Sequence, residues 1–222
     1  AVFTTAPELQ RSLAPLNAGT HLFGNVADAE HFGSALGAGH ARPSDWPDGQ
    51  GPCLIFIGAI DAYKLDLVML TALIAATPQW RYVLIGPVGE TDPSTDVADL
   101  AALPNAHLLG GRPYQALPAY LAWADVALLP LQLNDYTCHM YPMKFFEYLA
   151  AGCPVVATAI PSLLDQADVA SLCRPEVEDF QAAIGAVLEG EGPPRERRLA
   201  RAAEFTYDRR TAAMLQTLGR HG

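Results

Sequence analysis

Lys144 and Glu147 stand three residues apart in the stretch His139-Met140-Tyr141-Pro142-Met143-Lys144-Phe145-Phe146-Glu147-Tyr148-Leu149-Ala150-Ala151-Gly152. Pro142 suits the first position of a helix, and Gly152 followed by Pro154 suits its end. Both charges therefore fall on one face of a short apolar helix. A lysine in a first turn opposes the positive end of the helix dipole, by about 0.3–1 kcal/mol at an exposed site. An anion reverses that conflict: the free amides near Tyr141 to Lys144, with the Lys144 ammonium, form a cradle for phosphate. Glu147, one turn deeper, is placed to accept hydrogen bonds from a pair of ribose hydroxyls. The plainer reading is a surface ion pair between the two side chains, which is energetically minor.

A second loop, Gly58-Ala59-Ile60-Asp61-Ala62-Tyr63-Lys64, follows an apolar run of strand length and precedes a helix that Asp66 is suited to cap. Gly58 lets backbone approach a ligand, and Lys64 brings a second flexible cation. Neither the Gly-x-Gly-x-x-Gly pattern nor the P-loop is present. His139 is readable as a catalytic base, but a lone loop histidine is preferred as a structural or solvated group. Asp61 and Asp66 are expected in turn and cap roles, Asp125 as a turn anchor, and Trp46, Trp80 and Trp123 in packing. No Gly-x-Ser-x-Gly or Cys–His pairing supports a hydrolase.

The elements that must position these residues follow from periodicity. Apolar runs predict strands at Cys53–Ile57, Tyr82–Ile85, Ala106–Leu109, Val126–Leu129, Val155–Ala157 and Val169–Leu172. Helical periods fall at Leu67–Thr77, Asp96–Ala102, Tyr114–Trp123, Met143–Ala151, Val177–Leu188, Arg195–Phe205 and Asp208–Leu218. The alternation predicts an α/β fold: a doubly wound, Rossmann-like parallel sheet of about six strands with helices on both faces. Such sheets bind ligands beyond the carboxyl ends of their strands. Gly33–Pro52, rich in Gly and Pro, reads as a linker, and Val2–Leu16 with His21–Phe23 as one more helix–strand piece. Without an initiator Met, and opening on what looks like the end of a strand, the chain is expected to be cut from a longer protein.

The chain has 222 residues, half of them hydrophobic and 17% charged, which excludes intrinsic disorder, and no apolar run reaches bilayer-spanning length. The net charge of −10 repels phosphate backbones, so nucleic acid is not an expected partner. Seven arginines after Pro194 give the tail a local positive excess. A solvated helical face is preferred there over a peripheral contact with an anionic membrane. Cys53, Cys138, Cys153 and Cys173 lack metal-ligand spacing and read as reduced thiols of a cytosolic protein.

Taken with Ile57-Gly58-Ala59-Ile60, Tyr63-Lys64-Leu65-Asp66, Leu84-Ile85-Gly86-Pro87-Val88-Gly89, Asn105 to Gly110, Tyr120 to Val126 and, most specifically, Pro142 to Gly152, the chain resembles the C-terminal half of GT-B glycosyltransferases of the group 1, family-four-like branch. The resemblance implies transfer of a sugar from a nucleoside diphosphate donor, UDP by expectation, generally with retention and with no cofactor or obligatory metal. It divides the chain into 1–32, closing an N-terminal domain, a linker 33–52, a nucleotide-sugar domain 53–190 and C-terminal helices 191–222. Glu147 matches the family's ribose-holding acid and His139 stands where the first acid of the same motif belongs. Lys64 resembles the diphosphate lysine, and Ala59 replaces an arginine usual after the glycine. Leu108, Leu109 and Gly110 would line the base, Tyr141, Pro142 and Met143 would present backbone to phosphate and sugar, and Met140 would belong to the same donor site. Lys64, Lys144 and Glu147 are the expected catalytic set, with an acceptor glycan or lipid bound by the missing domain and a role in cell-surface polysaccharide synthesis. This piece alone is expected to bind donor without turnover. A nucleotide-sugar epimerase of similar fold and a non-catalytic interaction module are the alternatives.

Overall fold

The structure, a computed structural model, describes residues 1–37 and 39–219. It opens with a small parallel pair, β1 (Val2–Thr4) and β2 (Thr20–Leu22), joined by α1 (Pro7–Leu13). The expected helix–strand piece is thus a complete β-α-β turn. α2 (Ala29–Gly33) follows, capped by Asp28, whose carboxylate accepts the His31 amide at 2.9 Å.

The main sheet is built from β3 (Cys53–Ile57), β4 (Arg81–Ile85), β5 (Ala106–Gly110), β6 (Val126–Leu129), β7 (Val155–Thr158) and β8 (Ser171–Cys173). All pairings are parallel and the order is β5-β4-β3-β6-β7-β8, so the sheet is doubly wound with its switch point between β3 and β6. Its four central strands are nearly continuous apolar runs buried on both faces, while the edge strands β5 and β8 are half-buried. The connecting helices are α3 (Leu67–Ala76), α4 (Ala98–Ala101), α5 (Leu117–Leu121), α6 (Asp135–Cys138), α7 (Met143–Ala150), α8 (Val177–Leu188), α9 (Arg195–Glu204) and α10 (Tyr207–Gly219). α3 packs with α8, while α7 packs with α2 and α9.

Several boundaries depart from the periodicity. The last strand begins two residues late, because Val169 and Ala170 bury their side chains in the turn that precedes it. The helix expected over Tyr114–Trp123 is a 3₁₀ turn followed by α5, broken where Pro118 removes an amide. The helix expected over Asp96–Ala102 shrinks to one turn, which Asp96 ties off by accepting the Ala98 amide at 2.8 Å. Within the stretch expected as a linker, 39–52 is strapped down: Trp46 is buried, and Asp45 accepts from Arg112 Nε at 2.9 Å and from the Tyr120 hydroxyl at 2.7 Å.

The expectation of a solvated arginine face is corrected in part. Arg197 and Arg209 are exposed, but Arg198 is buried against α7, and Arg201 pairs with Asp168 at 3.1 Å. Arg220 lies outside the described residues. Trp46 and Trp80 are core residues as expected, whereas Trp123 is 42% exposed with its indole N–H on the His40 carbonyl, so packing does not account for it. All four cysteines are free, and burial pushes the Cys53 and Cys153 thiols up to about 12 and Cys173 to about 11. No helix among the described residues is long and apolar enough to cross a membrane.

Candidate functional site

β3 pairs with β4 along its whole length but with β6 only at Leu54 and Ile55. Past Ile55 the two strands part, and the gap is propped by Tyr148 of α7. Its buried hydroxyl accepts the Ile57 N–H at 2.8 Å and donates to the Ile57 carbonyl at 3.3 Å. A sheet bond from β6 is replaced by a side-chain bond, and the backbone stays satisfied while the sheet opens. Beyond the gap lies a cleft of about 170 Å³ that brings together Gly58, Ala59, Lys64, Met140, Pro142, Met143 and Lys144. Seven of the expected site residues thus line one cavity at the switch point.

α7 begins at Met143 as the periodicity predicts, with Pro142 just outside it as an N-cap that offers no side-chain acceptor, and ends one residue earlier than expected. Among the described residues nothing accepts the amides of Met143 and Lys144. These amides and the helix dipole present positive potential beside the cleft. The helix ends as the glycine predicts: Gly152 has a φ of +72°, and the amides of Gly152 and Cys153 return to the carbonyls of Leu149 and Tyr148. Arg198 of α9 donates to the Gly152 carbonyl at 2.9 Å, placing a cation at the negative end of α7.

Lys144 and Glu147 form an ion pair of 2.6 Å, so the simpler of the two readings is right about contact and wrong about place. The Glu147 carboxylate is 3% exposed and the Lys144 side chain 28%. Burial raises the Glu147 pKa, only partly countered by Lys144 and the more distant His31. Glu147 does not line the cleft, whereas its ion-pair partner Lys144 does.

Lys64 repeats the arrangement. Its ammonium lies 3.2 Å from Asp61, three positions earlier, and 5.0 Å from the Tyr63 ring centroid. Asp61 is more than the turn residue expected. It is fully buried and accepts from the Thr91 hydroxyl at 2.7 Å and the Thr91 and Asp92 amides at 3.2 Å. Burial alone would raise its pKa, but these donors and Lys64 hold it below the usual carboxylate value. The Lys64 loop is fixed from the other side, where Gln132 and Asn134 donate to the carbonyls of Ala62 and Tyr63 at 2.8 and 2.7 Å. Asp66 caps α3 as expected, whereas Asp125, expected to anchor a turn, accepts the Cys53 amide at 2.7 Å and ties the start of β3 to the start of β6.

The other expected residues lie elsewhere. The Tyr141 ring is buried against Phe146 and over Gly24, and its carbonyl, part of the backbone expected to face the donor, accepts the Asn25 side-chain amide at 2.6 Å. His139 is exposed at a second cavity of about 540 Å³, lined also by Asn25, Tyr136 and Tyr141, and Met140 lines both that cavity and the cleft. Its Nδ1 is 2.6 Å from the Asp135 carbonyl, one turn back along α6, a contact that fixes the ring against the helix. Leu108, Leu109 and Gly110 lie half-buried at the carboxyl end of β5, separated from the cleft by β4. Sequence reasoning missed Asp61, Tyr148, Gln132 and Asn134. The shared three-residue spacing of both Lys–carboxylate pairs was the available signal for Asp61.

Comparison with known proteins agrees with this geometry. Thirty-four per cent of 113 residues are identical to TuaH of Bacillus subtilis (strain 168), named as a glycosyltransferase of teichuronic acid biosynthesis; the match covers 51% of this chain and 28% of TuaH. Two solved structures share the fold. The sucrose-phosphate synthase of Thermosynechococcus elongatus superposes with a TM-score of 0.74 at 19% identity, over 99% of this chain and 57% of that one. Anabaena HepE in complex with UDP-glucose gives 0.75 at 16% identity, over 99% and 63%. The chain therefore spans about a quarter of TuaH and about three-fifths of these structures. The family described as glycosyl transferases group 1 matches residues 51–190, the segment that carries the sheet, both lysine loops and the cleft, and the chain belongs to that family.

Proposed function

We propose that this chain is the donor-binding half of a glycosyltransferase that moves a sugar from a nucleoside diphosphate to an acceptor, with retention at the anomeric carbon. The observation that carries the reading is the cleft at the split between β3 and β6, with Lys64, Lys144 and the open amides of α7 converging on it. The hard step in such a reaction is departure of the diphosphate. Preorganised cations and amides stabilise the charge it develops, and they act more strongly in a half-enclosed site than in water. Lys64 and Lys144 take the phosphates, Glu147 the ribose, and Leu108 to Gly110 the base. HepE, solved with UDP and with UDP-glucose, supports a uridine donor. The name of TuaH supports an acceptor in cell-surface polysaccharide synthesis, bound by parts of the protein beyond this chain.

Thermal unfolding with UDP, ADP, GDP and UDP-glucose tests the reading, because a ligand of the folded state must raise the midpoint. At least one nucleotide is expected to do so. Lys64→Ala is expected to weaken it about tenfold, the loss of one charge-assisted contact. No sugar transfer is expected from this piece alone. A flat response to all four ligands would overturn the proposal.

A further inference from the structure

Both cleft lysines rest on carboxylates three positions away, yet the two carboxylates differ in what holds them. Asp61 accepts from Thr91 N, Thr91 Oγ1 and Asp92 N besides its pair with Lys64. Glu147, 2% exposed, has Lys144 Nζ as its one hydrogen-bond donor among the described residues. Lys64 can leave Asp61 without stranding a charge. Lys144 cannot leave Glu147 without exposing a desolvated carboxylate to apolar surroundings, an unfavourable state unless other donors replace it. The same lysine also lines the cleft, so the group that pairs with the carboxylate is the one a ligand there meets.

We infer that Lys144 is a specificity-determining residue with two positions: on Glu147 in the empty cleft, and on a ligand's phosphates only when hydroxyls of that same ligand take its place on Glu147. The inference rests on the donor-site reading above and adds a coupling to it. The polyol and anionic parts of the ligand are then recognised together. Pyrophosphate alone gains little from Lys144, and a nucleotide without ribose hydroxyls loses the Glu147 contact and the Lys144 contact at once.

Calorimetric titration of the wild type, Lys144→Met and Glu147→Gln tests this with UDP, ADP and GDP, their 2′,3′-dideoxy counterparts, and inorganic pyrophosphate. For the tightest-binding nucleotide, removing the hydroxyls is expected to weaken binding about tenfold or more in the wild type and about threefold or less in Lys144→Met. Pyrophosphate is expected to bind those two proteins alike, and Glu147→Gln several-fold more tightly because Lys144 is released there. An equal hydroxyl penalty in wild type and Lys144→Met overturns the inference, as does pyrophosphate binding that Lys144→Met weakens as much as nucleotide binding. Should Lys144→Met not fold, Glu147→Gln decides: unchanged or weaker pyrophosphate affinity sinks the coupling. Failure of the donor-site reading is distinct, since then none of the three ribonucleotides binds the wild type, and the inference falls with it.

Discussion

At the residue scale the site is governed by what burial does to charge. Glu147 has a native-state pKa above its ordinary value, so the native protein holds that proton to higher pH than the unfolded chain does. The stability linked to this group is therefore present below the ordinary carboxylate pKa and is lost as pH rises through the raised native value. Thermal midpoints of wild type and Glu147→Gln between about pH 4 and 8 should show the variant gaining on the wild type as pH rises, and a constant gap would mean the carboxyl is not desolvated. Tyr148 permits a sharper measurement. Tyr148→Phe leaves the Ile57 amide without its partner inside the core, and urea unfolding should show a loss of about 1–3 kcal/mol. Much of this scale was legible. Lys144 and Glu147 stood out because a lysine in a helix's first turn breaks a local rule, and breaches of local rules gather at functional sites. Tyr148 was illegible for the opposite reason: in sequence it is one aromatic among apolar neighbours, and its role exists only because α7 crosses the end of β3.

At the element scale the short helix α7 is held at both ends by different means. Its start is left open toward the cleft, and its end is closed by Gly152, by Arg198 and by the stacking of Phe146 on Phe205 at 4.2 Å. α9 is thus a clamp, not a solvated cylinder. Arg198→Met, which keeps the volume but removes the donors to the Gly152 and Pro193 carbonyls, is expected to cost about 1–3 kcal/mol in urea unfolding. A change below about 0.5 kcal/mol would mean the guanidinium does not secure α7. The sheet itself was readable because its strands are continuous apolar runs: β3, β6 and α8 occupy the expected residues. α6 escaped notice since its four residues have no apolar period. Its one signal was the capping box of Asn134 and Thr137, which needs the fold to be recognised as such.

At the scale of the whole molecule, the core is concentrated around the six-stranded sheet and thins toward the chain's last helix. α10 runs for 13 residues without burying any of them, so its removal takes little apolar area from the core. Deleting residues 207–222 is expected to leave the unfolding free energy within about 1 kcal/mol of the full chain, and hydrogen exchange should find α10 among the least protected helices. The strapping of 39–52 onto Arg81 of β4 and the Arg112–Tyr120 segment was hidden from sequence for a related reason. Gly and Pro mark where regular structure stops, but whether such a stretch floats or packs depends on distant partners, here Arg112 and Tyr120 meeting Asp45. One feature of the sheet also joins durability to admission. Because a single phenolic oxygen wedges β3 and β6 apart, the doorway is part of the resting architecture and an arriving molecule has no prying to do. Loosening the interior around that oxygen would weaken the core and leave the entrance undefined at the same stroke.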